Sequence, residues 1–454
     1  MKIRSAGLVM ISAAALCLGG VVSTASATSS RVTAATPGEL TAICEDLFGD
    51  VYAAPSAEPL AVCQWDMAII DADASTRAIG TGEGVRVGVI DSGIDATHAD
   101  IAPNLDLAAS CSFIRPGTPT ALPAEFATSC TNKAALRDFY GHGTHVASEI
   151  AAPINGIGIA GVAPEATLVA LKACTAEGYC FVDAVAAALR YAGDQRLDVV
   201  NMSLFADPYL YYCQNEAEQR AMLEQLKSAA RYAQQRGVLL VASAGNQADD
   251  LQHPTIDDIS PDYPPDSAVT RQVRNNCRVA PAELPGVVTV SATGPVGYPG
   301  YDMNIADYSS VGMGVVDVTA PGGDYFSATG TVQDAVLGAL PNTPSLLWDA
   351  FDPLEPALPG ITVVDQGQRY GFLNGTSMSA PHATGVAALI IEQHPGWSPG
   401  AVAAALERTA TPLACPANWQ PIDEADDRQR CYGSPNRNSF FGAGLVNAYN
   451  AATS

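Results

Sequence analysis

Five short apolar runs, separated by stretches with helical periodicity, constrain this chain more than any other feature. They are VRVGVI (85–90), TLVALK (167–172), LDVVNM (197–202), VLLVAS (238–243) and VVTVS (287–291). Each is rich in β-branched residues and nearly continuous in apolar character, the mark of a strand covered on both faces. Helical patterns fall between and after them, at 182–191, 216–235, 377–392 and 399–408. Strand and helix alternating at this spacing predict right-handed crossovers and an α/β fold, a mostly parallel doubly wound sheet with helices on both faces. Sheets of this kind bind ligands at the carboxyl ends of their strands. The chain is long for one such domain, and the loops rich in Pro, Gly and Asp at 247–286 and 324–366 are expected insertions.

The amino-terminal residues read as an export signal. Lys2 and Arg4 precede an apolar stretch at 6–22, and Ala25-Ser26-Ala27 offers a cleavage site, so residues 1–27 are expected to be removed. Residues 28–63, with weak periodicity, read as an N-terminal extension or short pro-segment, and 64–454 as the main domain. No later run is long and apolar enough to span a bilayer, and no anchor is seen at the carboxyl end. A secreted, extracellular monomer is expected. Export also accounts for the cysteines. Ten of the eleven lie beyond Cys17, none forms a CxxC pair, and an oxidising compartment favours disulfides. Short loops close most easily, which predicts pairing of neighbours: Cys44–Cys63, Cys111–Cys130, Cys174–Cys180, Cys213–Cys277 and Cys415–Cys431. The formal charge of −24, or −26 once Lys2 and Arg4 are gone, argues against a nucleic-acid partner.

Three separated residues have the types that make a nucleophile. Asp91 follows VGVI directly, at a predicted strand end; alone it serves equally well as a turn cap. His142 stands between Gly141 and Gly143 at a predicted helix start, and GHGTH lacks the acid of a zinc-binding HExxH. Ser377, in FLNGTSMSAPHATG, lies at a loop-to-helix junction, where unpaired N–H groups and the helix dipole favour developing negative charge. Pro381 has no N–H to give to the carbonyl of Ser377, so the first turn stays open there. Serine needs a base, and the base needs a carboxylate to hold its tautomer. The nucleophile elbow GxSxG does not match, because Ser379 stands in place of its second glycine. His98, His145, His253, His382 and His394 read as structural.

With VGVIDSGIDATHAD, GHGTHVA and GTSMSAPHATG in this order, the chain resembles the subtilisin-like serine proteases, from about Gln64 to Ala452. The resemblance implies the subtilisin-like three-layer fold and a secreted serine endopeptidase acting on protein or peptide substrates without a catalytic cofactor. It implies that Asp91 orients His142, that His142 serves as base and then acid, and that Ser377 attacks the carbonyl. In VASAGN it assigns Asn246 to the oxyanion, with Ser243, Ala244 and Gly245 beside the substrate. It makes NMSLF (Ser203, Leu204, Phe205) and EGYC (Gly178, Tyr179, Cys180) the strands that flank the peptide. It implies a structural Ca²⁺ held by Asp100, Asn155, Ile157, Ile159 and Gln64. Phe205 stands where the family usually has glycine, which leaves the primary specificity open. Residues 28–63 are too few for the folded pro-domain that family members often carry. A broad degrader and a dedicated precursor-processing protease both fit, and a catalytically silent binding protein on the same scaffold is the rival reading.

Overall fold

The structure, a computed structural model, describes residues 34–127, 129–302, 304–417 and 429–454, so the expected signal peptide lies outside the described residues. Seven strands form the central sheet: β1 Arg86–Asp91, β2 Cys111–Ser112, β3 Thr167–Lys172, β4 Val199–Met202, β5 Leu239–Ser243, β6 Val287–Thr293 and β7 Val318–Pro321. Their order is β7-β6-β5-β4-β1-β3-β2, and every pairing is parallel. The five apolar runs became β1, β3, β4, β5 and β6. The two edge strands, β2 and β7, had too little pattern to be read.

The three layers follow from the period of two along each strand. Val87, Val89, Leu168, Ala170, Val199, Leu239 and Val241 pack with Val146, Ile150, Val386 and Leu389. These last belong to the helices His142–Ala151 and Thr376–Gln393. Ile90, Val169, Leu171, Val200, Leu240 and Ala242 face the other way, onto Val185, Leu189, Leu223 and Leu226 of the helices Val182–Gln195 and Ala217–Gln235. Both faces exclude water, each large side chain contributing about 1.5–3 kcal/mol by burial, and the strands are therefore apolar throughout. β1 sits between β3 and β4, where the strand order reverses, so its carboxyl end at Asp91 opens on the crevice of the sheet.

Both expected insertions are folded rather than loose. Within 324–366 and just beyond it, Val336–Leu340, Thr362–Asp365 and Gln368–Leu373 make an antiparallel sheet, with the helix Leu346–Phe351 between its first two strands. Around 247–286, Tyr211–Cys213 pairs with Cys277–Val279, and Ile256–Asp257 with Arg271–Gln272. The segment before Gln64 is likewise built in. Thr36 and Glu39 form a reciprocal cap for the helix Pro37–Phe48, whose Leu40, Cys44 and Phe48 are fully buried. Ala35 pairs with Val363 of the second insertion. All five neighbour disulfides are formed. Among the described residues, no helix is long and apolar enough to cross a membrane.

Candidate active site

Asp91 closes β1, and its carboxylate accepts from Ser92 N at 2.7 Å. His142 Nδ1 lies 2.8 and 3.0 Å from the two oxygens of Asp91. The glycine after His142 makes this approach possible. A Cβ on Gly143 would run into the Gly93 carbonyl and stand 3.1 Å from the Asp91 carboxylate. Burial works against the imidazolium, but the charge and hydrogen bond of Asp91, joined by the charge of Asp138, outweigh it. They hold the His142 pKa above the ordinary 6.5.

Asp138 was not singled out in the sequence, since it stands three residues before the N-cap Gly141, outside the capping position. It is wholly buried and accepts from Gly141 N (2.7 Å), Thr144 N (3.0 Å), Thr144 Oγ1 (2.7 Å) and Ser92 Oγ (2.9 Å). Ser92 Oγ in turn accepts from Gly143 N at 2.9 Å. The turn carrying His142 is thereby fastened to the residue after Asp91. Lys172, across β3 from Asp91, completes this base. It is buried, pairs with Glu125 at 2.9 Å and donates to the carbonyls of Ser92 and Arg137. Nothing in the local sequence announces Glu125, which arrives from a 3₁₀ turn 47 positions before Lys172.

Ser377 is the second residue of the helix Thr376–Gln393. Its carbonyl is the one that Pro381 leaves without an intrahelical donor, and Ser203 Oγ takes it at 2.7 Å. Asn201 Nδ2 donates to Ser203 Oγ (2.9 Å), and Thr384 Oγ1 donates to Asn201 Oδ1 (3.0 Å). The proline therefore frees a carbonyl that docks the Ser377 turn onto the end of β4. Ser377 Oγ donates to the Ser203 carbonyl at 3.3 Å. Among the described residues, no hydrogen bond joins it to His142.

Asn246 reaches the same turn from the end of β5. Its Oδ1 accepts from Thr376 N (2.9 Å) and Thr376 Oγ1 (2.8 Å), which fixes the amide. Gly245 N donates to Thr376 Oγ1 at 3.1 Å. The amide nitrogen faces Gly375, whose φ is +153°. A Cβ there would lie 3.3 Å from Asn246 Nδ2 and 3.6 Å from Ser377 N, so the two donors border one small space. Neither has an acceptor among the described residues.

The residues expected to line the substrate follow two central strands, and of these Ser203 touches the Ser377 turn. Gly178, Tyr179 and Cys180 follow β3, with Cys180 bonded to Cys174. Gly178 lies against Tyr140, since a Cβ on it would stand 3.1 Å from that ring. Ser203, Leu204 and Phe205 follow β4. Phe205, half-buried, packs against the cluster that contains Ala244, Leu210 and Leu251. The remaining histidines sit apart from this chemistry. His145 and His382 share buried Glu149, at 2.6 and 3.4 Å, and His382 also meets Asp66 at 3.0 Å. His98 meets the Arg369 carbonyl at 3.1 Å, and burial lowers its pKa to about 4.

Of the residues expected to hold calcium, Asp100, Asn155 and Gln64 have their side-chain oxygens engaged by protein donors. Asp100 accepts from Tyr370 OH (2.7 Å), Asn155 Nδ2 (2.9 Å) and Ile159 N (3.2 Å). Asn155 Oδ1 accepts from Ile157 N at 2.9 Å, and the Gln64 amide is closed in both directions on Ala160. Burial raises the Asp100 carboxyl to about 6 despite its three donors.

Comparison with known proteins agrees with this arrangement. The subtilase family model matches residues 82–444. Subtilisin BL of Lederbergia lenta is 30% identical over 385 residues, covering 85% of this chain and 96% of that protein. Fervidolysin from Fervidobacterium pennivorans, described as a keratinolytic enzyme related to subtilisin, superposes with a TM-score of 0.59 at 25% identity. That alignment spans 87% of this chain and 46% of fervidolysin. A lanthipeptide protease shares the fold with a TM-score of 0.60 at 24% identity, over 86% of this chain and 93% of that one. A family match over most of the chain, with an acid, an imidazole and a hydroxyl at the mouth of one parallel sheet, leaves a single conclusion: the chain belongs to the subtilase family of serine endopeptidases.

Proposed function

We propose that Ser377 is the nucleophile, with His142 as its base, Asp91 orienting the imidazole, and Asn246 Nδ2 with Ser377 N receiving the oxyanion. The convergence of those two donors on the space at Gly375, together with the Asp91–His142 hydrogen bonds, carries the reading. Ser377 Oγ holds only a long bond to Ser203, and rotation about χ1 between staggered wells redirects it. Catalytic hydrogen bonds are often open until substrate binds. In the reaction His142 takes the hydroxyl proton as Oγ adds to the carbonyl, then passes it to the leaving amine, and water repeats the sequence on the acyl-enzyme. Export follows from the charged and apolar start of the chain. A fluorophosphonate probe is expected to label Ser377 in the secreted protein and to fail on Ser377→Ala. A folded protein that resists the probe defeats the assignment.

The insertions that fold against the groove favour a processing protease over a broad degrader; a peptide-library cleavage profile separates the two. Calcium is a separate proposal. The Asp100 carboxylate and the side-chain oxygens of Asn155 and Gln64 have the right chemistry for Ca²⁺, but the ion has to displace the hydrogen bonds they now make. A calcium-dependent rise in Tm, reversed by chelator, supports it; identical Tm values refute it.

A further inference from the structure

The space beside Ser377 is closed at one end. β1 and β3 end in register at Asp91 and Lys172, and residues 178–180 come back after a turn closed by Thr175 N to the Tyr179 carbonyl (2.9 Å) and Gly178 N to the Thr175 carbonyl (2.9 Å), while 203–205 continue from β4. An extended peptide lying there could pair with a backbone segment at the usual strand spacing of about 4.8 Å. The walls of the space are Gly178–Cys180 and Ser203–Phe205, and Ser203 marks the reacting end through its two bonds to Ser377.

The walls then meet. Asp207 N donates to the Cys180 carbonyl at 3.0 Å and Val182 N to the Asp207 carbonyl at 3.2 Å. Cys180 N donates to the Asp207 carboxylate, and Phe181 and Asp207 form a parallel bridge. The backbone groups of Cys180 that a longer peptide would use are thus taken. The first insertion braces the junction. Asp262 N donates to the Pro208 carbonyl at 3.1 Å, and the Tyr263 ring packs edge-on to Tyr179 (5.4 Å) and Phe181 (5.5 Å). Burial, with the Asp262 carboxyl beside it, pushes the Asp207 carboxyl well up from its ordinary range, and Asp262 Oδ1 is buried with no donor among the described residues.

We propose that the acyl side of the cleft holds about three residues, alongside Ser203, Leu204 and Phe205, and that the enzyme has a further activity: release of tripeptides from free amino termini. The α-ammonium of the substrate would meet the Asp207–Asp262 carboxyls at the closed end. The step is ordinary hydrolysis. Ser377 Oγ displaces the amine of the fourth residue, and water releases the tripeptide carboxylate. Longer chains reach Ser377 only by turning out of the groove before Asp207. The proposal rests on Ser377 being the nucleophile.

The test compares three fluorogenic amides with the same last three residues: one with a free amine, one N-acetylated, and one carrying two further residues. The free tripeptide is expected to have the highest kcat/KM, with acetylation or extension lowering it roughly ten- to hundred-fold, the range of a charge-assisted hydrogen bond. Asp262→Asn is expected to narrow the gap between free and acetylated peptides while fluorophosphonate labelling of Ser377 is unchanged. Rates that rise as the arm grows to five residues overturn the closed cleft and leave the nucleophile assignment standing. A gap that Asp262→Asn does not narrow overturns the role of the carboxyls. Loss of both turnover and probe labelling overturns the nucleophile assignment and this proposal with it.

Discussion

Replacing Gly375 with alanine places a methyl group in the space where the oxyanion is proposed to form. From the backbone as it stands, that methyl lies 3.3 Å from Asn246 Nδ2 and 3.6 Å from Ser377 N. An oxyanion needs both donors at about 2.7–3.1 Å, and carbon and oxygen cannot share that volume. Losing the asparagine donor alone costs about 2.7–4 kcal/mol of barrier, a range measured in subtilisin itself. That is roughly a 10²–10³-fold fall in kcat, and obstruction of Ser377 N adds to it. The φ of +153° also strains any side chain at this position, at a cost on the order of 1–3 kcal/mol of stability. Steady-state kinetics on a peptide amide, with a thermal melt to establish folding, gives the answer. Asn246→Ala is expected to lower kcat strongly in the wild type and hardly at all in Gly375→Ala, because the blocked space has already lost that donor. A folded Gly375→Ala enzyme with kcat within about threefold of wild type, or a fully additive double variant, refutes the geometry.

Activity should fall in acid through a pKa above 6.5, because His142 must be neutral to accept a proton and Asp91 and Asp138 raise its pKa against burial; a midpoint below 6.5 contradicts this. In Asp91→Asn the raising charge is gone, so that limb should move to lower pH while kcat drops by about 10⁴-fold. Ser203→Ala should lower stability by about 1–3 kcal/mol in a denaturant melt, since it strands the carbonyl that Pro381 already leaves unpaired; an unchanged midpoint argues that water replaces the hydroxyl. Cys44→Ser opens a 19-residue separation and should cost about 3 kcal/mol, with early proteolysis inside the helix Pro37–Phe48. Resistance equal to wild type means that burial of Leu40 and Phe48 suffices.

The central strands were readable because burial on both faces demands continuous apolar runs, and no tertiary detail alters that demand. The helix Pro37–Phe48 was also announced, by Thr36-Pro37-Gly38-Glu39, yet the low periodicity around it concealed it. β2 has two residues, too short to carry a period, and is a strand only because β3 offers it partners.

By itself the sequence determined the layered sheet, the short-range disulfides and which acid, imidazole and hydroxyl deserved notice, since these rest on local composition, loop closure and motif order. Only the tertiary structure decided what surrounds them. Asp138, Lys172 and Glu125 matter because buried charge must find partners, and those partners come from distant turns that no local pattern connects. The closure of the cleft at Cys180 and Asp207 is of the same kind. It depends on the segments that follow β3 and β4 meeting beyond the end of β1, a contact between residues 27 positions apart that neither segment encodes alone.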